Sequence, residues 1–397
     1  MDLAYGPEYE QFREEVRAFL RQHWERGPDG GHGVDPAEVA AFRKLAVDAG
    51  YLYRSVPRRY GGSEQPSDVL RARVVREEFT AARAPMEIRS LGTQLLVPTL
   101  LEAGTEWQKE RFVEPTVNGR ITWCQGYSEP GAGSDLASLR TRADRVGDRW
   151  VINGQKVWTS FAHEADYMFL LARTDPDVPK RKGLTYFLVP MDQAGIEVRP
   201  LRQITGESEF NEVFLTDVTT PADWVLGAVG DGWRVANTTL KHERAWVGDV
   251  AEPERLMSSL IRLARRTPGP DGRPWIEDTG MRTRLVEVQG YLEAQRYSGY
   301  HQLSRTLKGE SAGLLGLTNK ISSTNIAARV AAIALDIIGD AALLPHTGAG
   351  GGARVGPERW MNQYFGSLGS AIAGGASNIQ RNIIAQRGLG LPRDEDK

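Results

Sequence analysis

The chain has 397 residues, its basic and acidic residues give a formal net charge of −2, and Cys124 is its single cysteine. This length predicts two or three packed domains, and the balanced charge excludes an overall field that would favour nucleic acid or an anionic membrane. One cysteine excludes an internal disulfide framework and a multi-cysteine metal site. The charged start lacks the apolar run of a secretory signal, and charges interrupt the most apolar late stretch, 327–344. We therefore expect a soluble, cytoplasmic protein without a membrane-spanning helix.

The first block of the chain, residues 1–119, is predicted to be a helical domain. Phe12, Val16 and Leu20 recur at four-residue spacing, which places them on one face of a helix. The runs 69–82 and 95–103 have similar patterns, and glycine-containing turns separate them.

The middle block, residues 120–229, is predicted to be a small antiparallel β-barrel. Asn153-Gly154 lies between the β-rich runs 150–152 and 157–158, and this dipeptide favours a tight hairpin turn. Further strands are expected at 167–172, 184–189 and 210–215.

The last block, residues 230–397, is predicted to be a four-helix bundle. Long helical patterns occupy 233–266, 278–307, 311–338 and 359–387. Glycine-rich connections at 267–275 and 346–352 are interpreted as loops. The fold class is therefore α+β multidomain, with a sheet domain between two helical domains.

The first stretch that suggests chemistry is Ser128-Glu129-Pro130-Gly131-Ala132-Gly133-Ser134-Asp135. Its glycines let backbone N–H groups approach a phosphate, and its two serines add hydroxyl donors for a flavin edge or a pyrophosphate. The alternative is a solvent-exposed turn between strands.

The second stretch is Asn153-Gly154-Gln155-Lys156-Val157-Trp158-Thr159-Ser160. An indole can cover one face of an isoalloxazine ring while a hydroxyl bonds its N5 or O4. The alternative is a half-buried strand with Trp158 in the core.

Together these stretches resemble the acyl-CoA dehydrogenase family, as do Tyr60-Gly61-Gly62, Phe210-Asn211-Glu212-Val213-Phe214 and the closing Ile379-Gln380-Arg381. The resemblance implies an FAD-dependent oxidoreductase of fatty acid metabolism that removes two hydrogens from the Cα–Cβ bond of an acyl-CoA. It also implies a homodimer or homotetramer and an electron-transferring flavoprotein as the electron acceptor.

The resemblance also implies roles for individual residues. Ser128 would hydrogen-bond the flavin ring, Trp158 would pack on it, and Ser160 would contact its N5/O4 edge. Ser134 would contact both the cofactor and the acyl-CoA. The remaining implied contacts are Gln125, Gly133, Arg273 and Asn378 for the cofactor, and Arg244, Gly374 and Gly375 for the substrate.

The chemistry requires a carboxylate that removes the α-proton. Gly374 stands where most family members have this glutamate, and Glu243 stands where isovaleryl-type members have theirs. We therefore expect Glu243 to be the base, with Arg244 shaping the acyl-CoA site. The alternative for Glu243 is a solvated helix charge. Gly374 also leaves room for a branched or bulky acyl group.

The regions that neighbouring subunits donate to the FAD site in the family are altered here. Arg273 stands in for a phosphate-binding arginine, and Asp336 and Asp340 occupy the second donated turn, where they would repel a pyrophosphate. Three alternatives therefore remain: one subunit of a heteromeric dehydrogenase, an FAD-dependent oxidase or monooxygenase, and a non-catalytic binding subunit. A carrier-protein thioester can also replace CoA. Trp246 occupies the second histidine position of a zinc-protease motif, so no metal site is expected.

Overall fold

The computed structural model describes residues 6–24, 35–247, 250–310, 314–343 and 357–392. The first described part is helical, as predicted. Phe12, Val16 and Leu20 form the buried face of the first helix, and Asp68 caps another helix by accepting from the backbone N–H groups of Leu70 and Arg71. The helices are α1 (Pro7–His23), α2 (Pro36–Asp48), α3 (Val69–Ala81), α4 (Val97–Ala103) and α5 (Glu106–Val117).

The middle part is a curled, open seven-stranded sheet rather than the predicted closed antiparallel barrel. The strand order is β1-β4-β2-β3-β7-β6, and β5 pairs with β4. β4 is parallel to β1 and β2, which is possible because long connections separate these strands in the sequence. The strands are β1 (Trp123–Gly126), β2 (Arg142–Val146), β3 (Arg149–Lys156), β4 (Tyr167–Arg173), β5 (Leu184–Pro190), β6 (Ile196–Leu201) and β7 (Phe210–Pro221).

The predicted hairpin turn at Asn153-Gly154 is wrong. β3 runs through both residues, and its pairing with β7 shifts register between Ile152 and Gly154. A Cβ atom on Gly154 would lie 2.4 Å from Thr141 Oγ1, so the glycine permits a close strand approach instead of a turn. The β2–β3 hairpin turns at Gly147, whose φ of 61° is left-handed.

The last part contains six α-helices in the described residues, where the sequence predicted four. The last predicted helix is divided at residues 371–376, because Gly374 and Gly375 have φ of 62° and 97°. The first corresponds to two helices, with Val250 as a described non-helical residue before the second. Residues 248–249 and the predicted loop 346–352 lie outside the described residues. The helices are α6 (Gly232–Val247), α7 (Ala251–Arg266), α8 (Thr279–Leu307), α9 (Leu315–Ile338), α10 (Pro357–Ser370) and α11 (Ser377–Gly388).

Helix α6 joins the three parts of the chain. It packs against β5, against α4, and against the π-helical segment Gly92–Leu96. Thr239 of α6 lies in this contact, with its Oγ1 3.0 Å from Thr99 Oγ1 and 3.3 Å from the Tyr186 hydroxyl. This contact positions the next turn of α6, which carries Glu243, beside the sheet. Among the described helices, none is both long and apolar enough to cross a membrane.

Candidate active site

A large cavity of about 2370 Å³ lies where the three parts meet. Nine of the residues singled out in the sequence lie along its wall: Gln125, Ser128, Gly133, Ser134, Trp158, Ser160, Glu243, Gly374 and Gly375. The structure therefore brings together both motif stretches, the candidate base and the double-glycine turn.

The Ser128–Ser134 loop begins two residues after β1 and closes on itself. Glu129 and Ala132 exchange backbone hydrogen bonds of 3.0 and 3.1 Å, which fixes the turn. A Cβ atom added to Gly131 or Gly133 would meet nothing within 4 Å. Packing within the chain therefore does not require these glycines, and Gly133, which lines the cavity, leaves the backbone open to it.

The segment that carries Trp158 and Ser160 is fixed at both ends. The Val157 N–H donates to the Ser128 carbonyl at 2.9 Å, and Thr159 exchanges backbone hydrogen bonds with Asn211 of β7. Trp158 has a φ of 61°, although its indole remains 61% exposed and contacts Phe210 edge-to-face. A non-glycine residue in this conformation is strained, and the strain presents the ring to the cavity.

Glu243, on helix α6, lines the same cavity and is half-buried. Its charge acts on two buried groups, the Lys320 ammonium and the Tyr127 hydroxyl. Burial raises the pKa of Tyr127 well above 10, and Tyr186 and the Glu243 charge raise it further, so the phenol stays neutral. Glu243 is thus a carboxylate in a partly desolvated site rather than on a solvated helix face.

The double-glycine turn is held by Lys320 of α9. The fully buried ammonium donates to the Gly375 carbonyl at 2.9 Å and to the Ala371 carbonyl at 3.3 Å. Burial lowers the pKa of Lys320, and the charge of Glu243 opposes this shift. The turn that carries Gly374 is therefore hydrogen-bonded to a buried cation on which the charge of Glu243 acts.

Three residues that the sequence analysis assigned to the site are not seen in the cavity wall. Arg273 lies outside the cavity lining and forms an exposed ion pair with Asp271 at 2.7 Å. Asn378 is exposed in the first turn of α11, also outside the lining. The side chain of Arg244 is outside the described part of the structure. The contacts predicted for these residues stay predictions.

The two aspartates of the altered donated turn differ in their surroundings. Asp336 is paired with Arg284 of α8 at 2.5 Å, so its charge is compensated within the chain. Asp340 is exposed in the turn after α9.

Several cavity residues were missed by the sequence reasoning. Tyr127 follows β1 directly and reaches the wall beside Ser128. Arg255, Arg262 and Arg266 share one face of α7, and their spacing of seven and four residues was a readable signal. Arg359 of α10 had no comparable signal, because only the tertiary packing brings it to α7.

The chain matches models of three families along most of its length. These are the N-terminal domain of acyl-CoA dehydrogenase at residues 6–120, the middle domain at 124–218 and the C-terminal domain at 230–389.

The chain is also similar to individual proteins and solved structures. The protein named acyl-CoA dehydrogenase IpdE1 of Mycobacterium tuberculosis strain H37Rv is 39% identical over 398 residues, which cover 97% of this chain and 98% of the relative. A solved structure titled Tcur3481-Tcur3483 steroid ACAD has a TM-score of 0.78 at 30% identity, covering 99% of this chain and 100% of that chain. The ChsE4-ChsE5 complex from Mycobacterium tuberculosis has a TM-score of 0.78 at 28% identity, with the same coverage. The chain is therefore an oxidoreductase that belongs to the acyl-CoA dehydrogenase family.

Proposed function

We propose that this protein catalyses the FAD-dependent α,β-dehydrogenation of an acyl-CoA thioester, with Glu243 as the base that removes the α-proton. The observation that carries this proposal is that Glu243 lines the same cavity as Ser128, Trp158 and Ser160. A concerted loss of proton and hydride from adjacent carbons requires a base and a flavin-binding surface within one cavity.

The residues of the sheet wall fit a flavin. The exposed indole of Trp158 offers a flat apolar surface, and the space beside Gly131 and Gly133 leaves room for a phosphate near backbone N–H groups. Gln380, which lines the same cavity, has a buried Oε1 atom with no hydrogen-bond partner among the described residues. When bound, FAD supplies the hydride acceptor for the β-carbon.

Side chains of the protein must take up the α-proton and stabilise the negative charge that develops on the thioester. Glu243 lines the cavity and is half-buried, and we assign it the removal of the α-proton. Hydrogen-bond donors at the thioester oxygen are needed to stabilise the enolate-like charge that develops there. Because the Tyr127 hydroxyl stays neutral, it adds no second negative charge to the cavity wall near Glu243.

Gly374 supports a bulky acyl group as the substrate class. The glycine replaces the glutamate that most family members carry, so the pocket gains the volume of that side chain. Two of the similar solved structures are titled as steroid ACADs, a class of enzyme with a bulky ring substrate by name. We extend this class to the present chain as part of the proposal.

A heteromeric assembly is a second candidate, favoured by two observations. The similar ChsE4-ChsE5 structure is a complex of two named chains. In this chain, Arg273 is already paired with Asp271, and Asp340 is exposed in the turn expected to contact a neighbour's pyrophosphate. A partner with an intact donated turn would complete the site, and an electron-transferring flavoprotein would accept the electrons in either assembly.

The test is anaerobic mixing of the flavin-loaded protein with a panel of straight-chain, branched and ring-bearing acyl-CoAs. We expect loss of the flavin absorbance with at least one of the bulky acyl-CoAs. Glu243→Gln should slow this bleaching by about a hundredfold or more, the usual scale for loss of a general base. Glu164→Gln is the control, because Glu164 is an exposed carboxylate at the same cavity's edge without an assigned role.

Bleaching of Glu243→Gln at the wild-type rate would show that another group takes the proton. A chain that holds flavin only when a second acyl-CoA dehydrogenase chain is co-expressed would establish the heteromer. Stoichiometric peroxide formation during aerobic turnover would instead favour an oxidase.

A further inference from the structure

The helical wall of the cavity carries a group of arginines that the proposed chemistry does not use. Arg255 and Arg262 of α7 and Arg359 of α10 line the cavity around Ser259. Arg262 Nη2 lies 2.8 Å from Ser259 Oγ, and Arg359 Nη2 lies 3.3 Å from the same atom. Two helices far apart in the sequence therefore bring guanidinium groups together at one buried hydroxyl.

The hydroxyl holds these groups but does not neutralise them. Ser259 is only 6% exposed and donates to the Arg255 carbonyl at 2.9 Å, so its oxygen lone pairs face the guanidinium groups. Each guanidinium has five N–H donors in a planar fork, and one hydrogen bond to Ser259 leaves most of them for another acceptor.

The charge of the cluster is unbalanced in the described structure. Arg255 is paired with Glu252 at 2.5 Å, whereas no described carboxylate lies within ion-pair distance of Arg262 or Arg359. Burial lowers the pKa of Arg359, and the charges of Arg255 and Arg262 lower it further, which indicates repulsion within the group. The Glu252 carboxylate, which also lines the cavity, opposes this shift in part. An anion in the cavity would relieve this repulsion.

The cluster also differs from an ordinary solvated helix face. Arg265 lies on the same helix and does not line the cavity, whereas Arg262, which is also exposed, and the half-buried Arg359 do. The cavity that they line continues to Gly374 and Glu243. Arg359 and the end of α10 at Ser370 are eleven residues apart, about 17 Å at the rise of an α-helix, and Gly374 lies in the turn that follows. An anion at the cluster would thus belong to a long ligand whose other end reaches the reaction site.

We propose that Arg262 and Arg359, held by Ser259, bind the phosphate groups of a nucleotide that extends along the cavity from the reaction site. Paired guanidinium forks match phosphate oxygens in bidentate geometry, and both ligands of the proposed reaction carry a diphosphate. The identity of the nucleotide, the adenylate half of FAD or the adenylate half of CoA, rests on the proposed function. The phosphate-binding site itself does not.

The experiment measures binding by calorimetry on the full-length protein, purified with any chain that accompanies it. Inorganic pyrophosphate is the first probe, because it tests the arginines without flavin or thioester. We expect Arg262→Met and Arg359→Met each to weaken pyrophosphate binding about tenfold or more, the scale for losing a charge-assisted hydrogen bond. Binding to the wild type should weaken as salt is raised. Arg265→Met is the matched control and should bind as the wild type does.

Two further arms identify the ligand. If the FAD adenylate lies here, both variants lose FAD affinity and keep riboflavin affinity. If the CoA adenylate lies here, both lose CoA affinity and keep pantetheine affinity. A wild type that binds pyrophosphate but neither FAD nor CoA would refute the proposed function and leave the phosphate site standing.

The proposal is overturned if Arg262→Met and Arg359→Met bind pyrophosphate, FAD and CoA as the wild type does. It is also overturned if Arg265→Met weakens binding equally. A change of oligomeric state in sedimentation with unchanged ligand affinity would assign the arginines to a subunit contact instead.

Discussion

Lys156 Nζ lies 2.9 Å from Glu129 Oε1, and both side chains are buried beneath the sheet wall of the cavity. The ammonium also donates to the Tyr127 carbonyl at 3.1 Å and to the Leu171 carbonyl at 2.8 Å. Ser128 stands between two of these acceptors in the sequence, and Trp158 follows Lys156 by two residues. This ion pair therefore joins the two stretches that we propose face the flavin.

We predict that removing one member of this pair is more harmful than removing both. Lys156→Met leaves the Glu129 carboxylate buried without its cation, which should lower the free energy of unfolding by about 3–5 kcal/mol. The double variant Glu129→Gln/Lys156→Met leaves no buried charge and should recover part of this loss. Urea unfolding of the wild type, both single variants and the double variant measures the coupling.

Lys109→Met is the control, because Lys109 forms only a helix-surface pair with Glu106. Equal destabilisation by Lys156→Met and Lys109→Met would contradict the prediction. Each folded variant should also be examined for its flavin absorption spectrum. We expect a shifted spectrum only when the Glu129–Lys156 link is broken.

The same pair predicts a dependence of stability on acid. Burial opposes ionisation of Glu129, but the Lys156 charge and hydrogen bonds from Thr141 and the Arg140 N–H hold the pKa of Glu129 below its ordinary 4.5. The unfolded chain therefore takes up this proton at a higher pH than the folded chain does. As pH falls from about 5 through the folded pKa, the stability that Glu129 contributes above 4.5 is lost.

The Glu129→Gln variant has no carboxylate to protonate at this position. Its free energy of unfolding should therefore fall less steeply than that of the wild type as pH falls from about 5. Urea midpoints measured at several pH values between about 5.5 and 3 test the slope. Parallel curves for the wild type and Glu129→Gln would show that this carboxylate is not stabilised by its partners.

Local sequence patterns predicted the helices and strands of this fold better than they predicted how the strands pair into a sheet. The helical spacing of Phe12, Val16 and Leu20 was confirmed because one buried face is a local property. Closure of the sheet is not local: β4 pairs in parallel with β1, more than forty residues earlier in the sequence, and no periodicity encodes that partner. The turn expected at Asn153-Gly154 was wrong because Thr141, just before β2, approaches too closely for any residue but glycine at position 154.

The residues of the candidate site likewise include some that could be predicted from the sequence and some that could not. Ser128, Trp158 and Glu243 could be proposed because motif spacing and a family resemblance pointed to them, and all three line one cavity. Arg359 and Lys320 could not, because each acquires its surroundings only when α7, α9 and α10 pack. A buried lysine in an apolar helix pattern carries no sign of the carbonyl groups that it will meet.

Gly374 provides a third prediction, which concerns strain. Its φ of 62° lies in the left-handed region, where a residue with a Cβ atom costs about 1–2 kcal/mol. Gly374→Ala should therefore lower the free energy of unfolding by roughly that amount. Gly290→Ala is the control, because Gly290 is helical with open space around its Cβ position, and alanine there should be neutral or stabilising by about 1 kcal/mol. An unfolding midpoint for Gly374→Ala at or above that of the wild type would rule out a strained turn.

The last prediction concerns Lys320, whose ammonium donates to the Gly375 carbonyl and interacts electrostatically with Glu243. A cation near a carboxylate favours its ionised form, and the base must be ionised to accept the α-proton. Lys320→Met removes this cation, so Glu243 should remain protonated to a higher pH. We expect the acid limb of kcat/KM against pH to move upward by about one unit, the lower end of the range for a nearby charge.

A purely structural role for Lys320 would give a different result. Loss of its hydrogen bonds to Ala371 and Gly375 alone would loosen the turn and lower kcat/KM by the same factor at every pH. Lys308→Met, an exposed lysine after α8, should leave both the rate and its pH profile unchanged. The electrostatic role is refuted if the acid limb of Lys320→Met coincides with that of the wild type after scaling, because a cation acting on Glu243 must change where the base titrates.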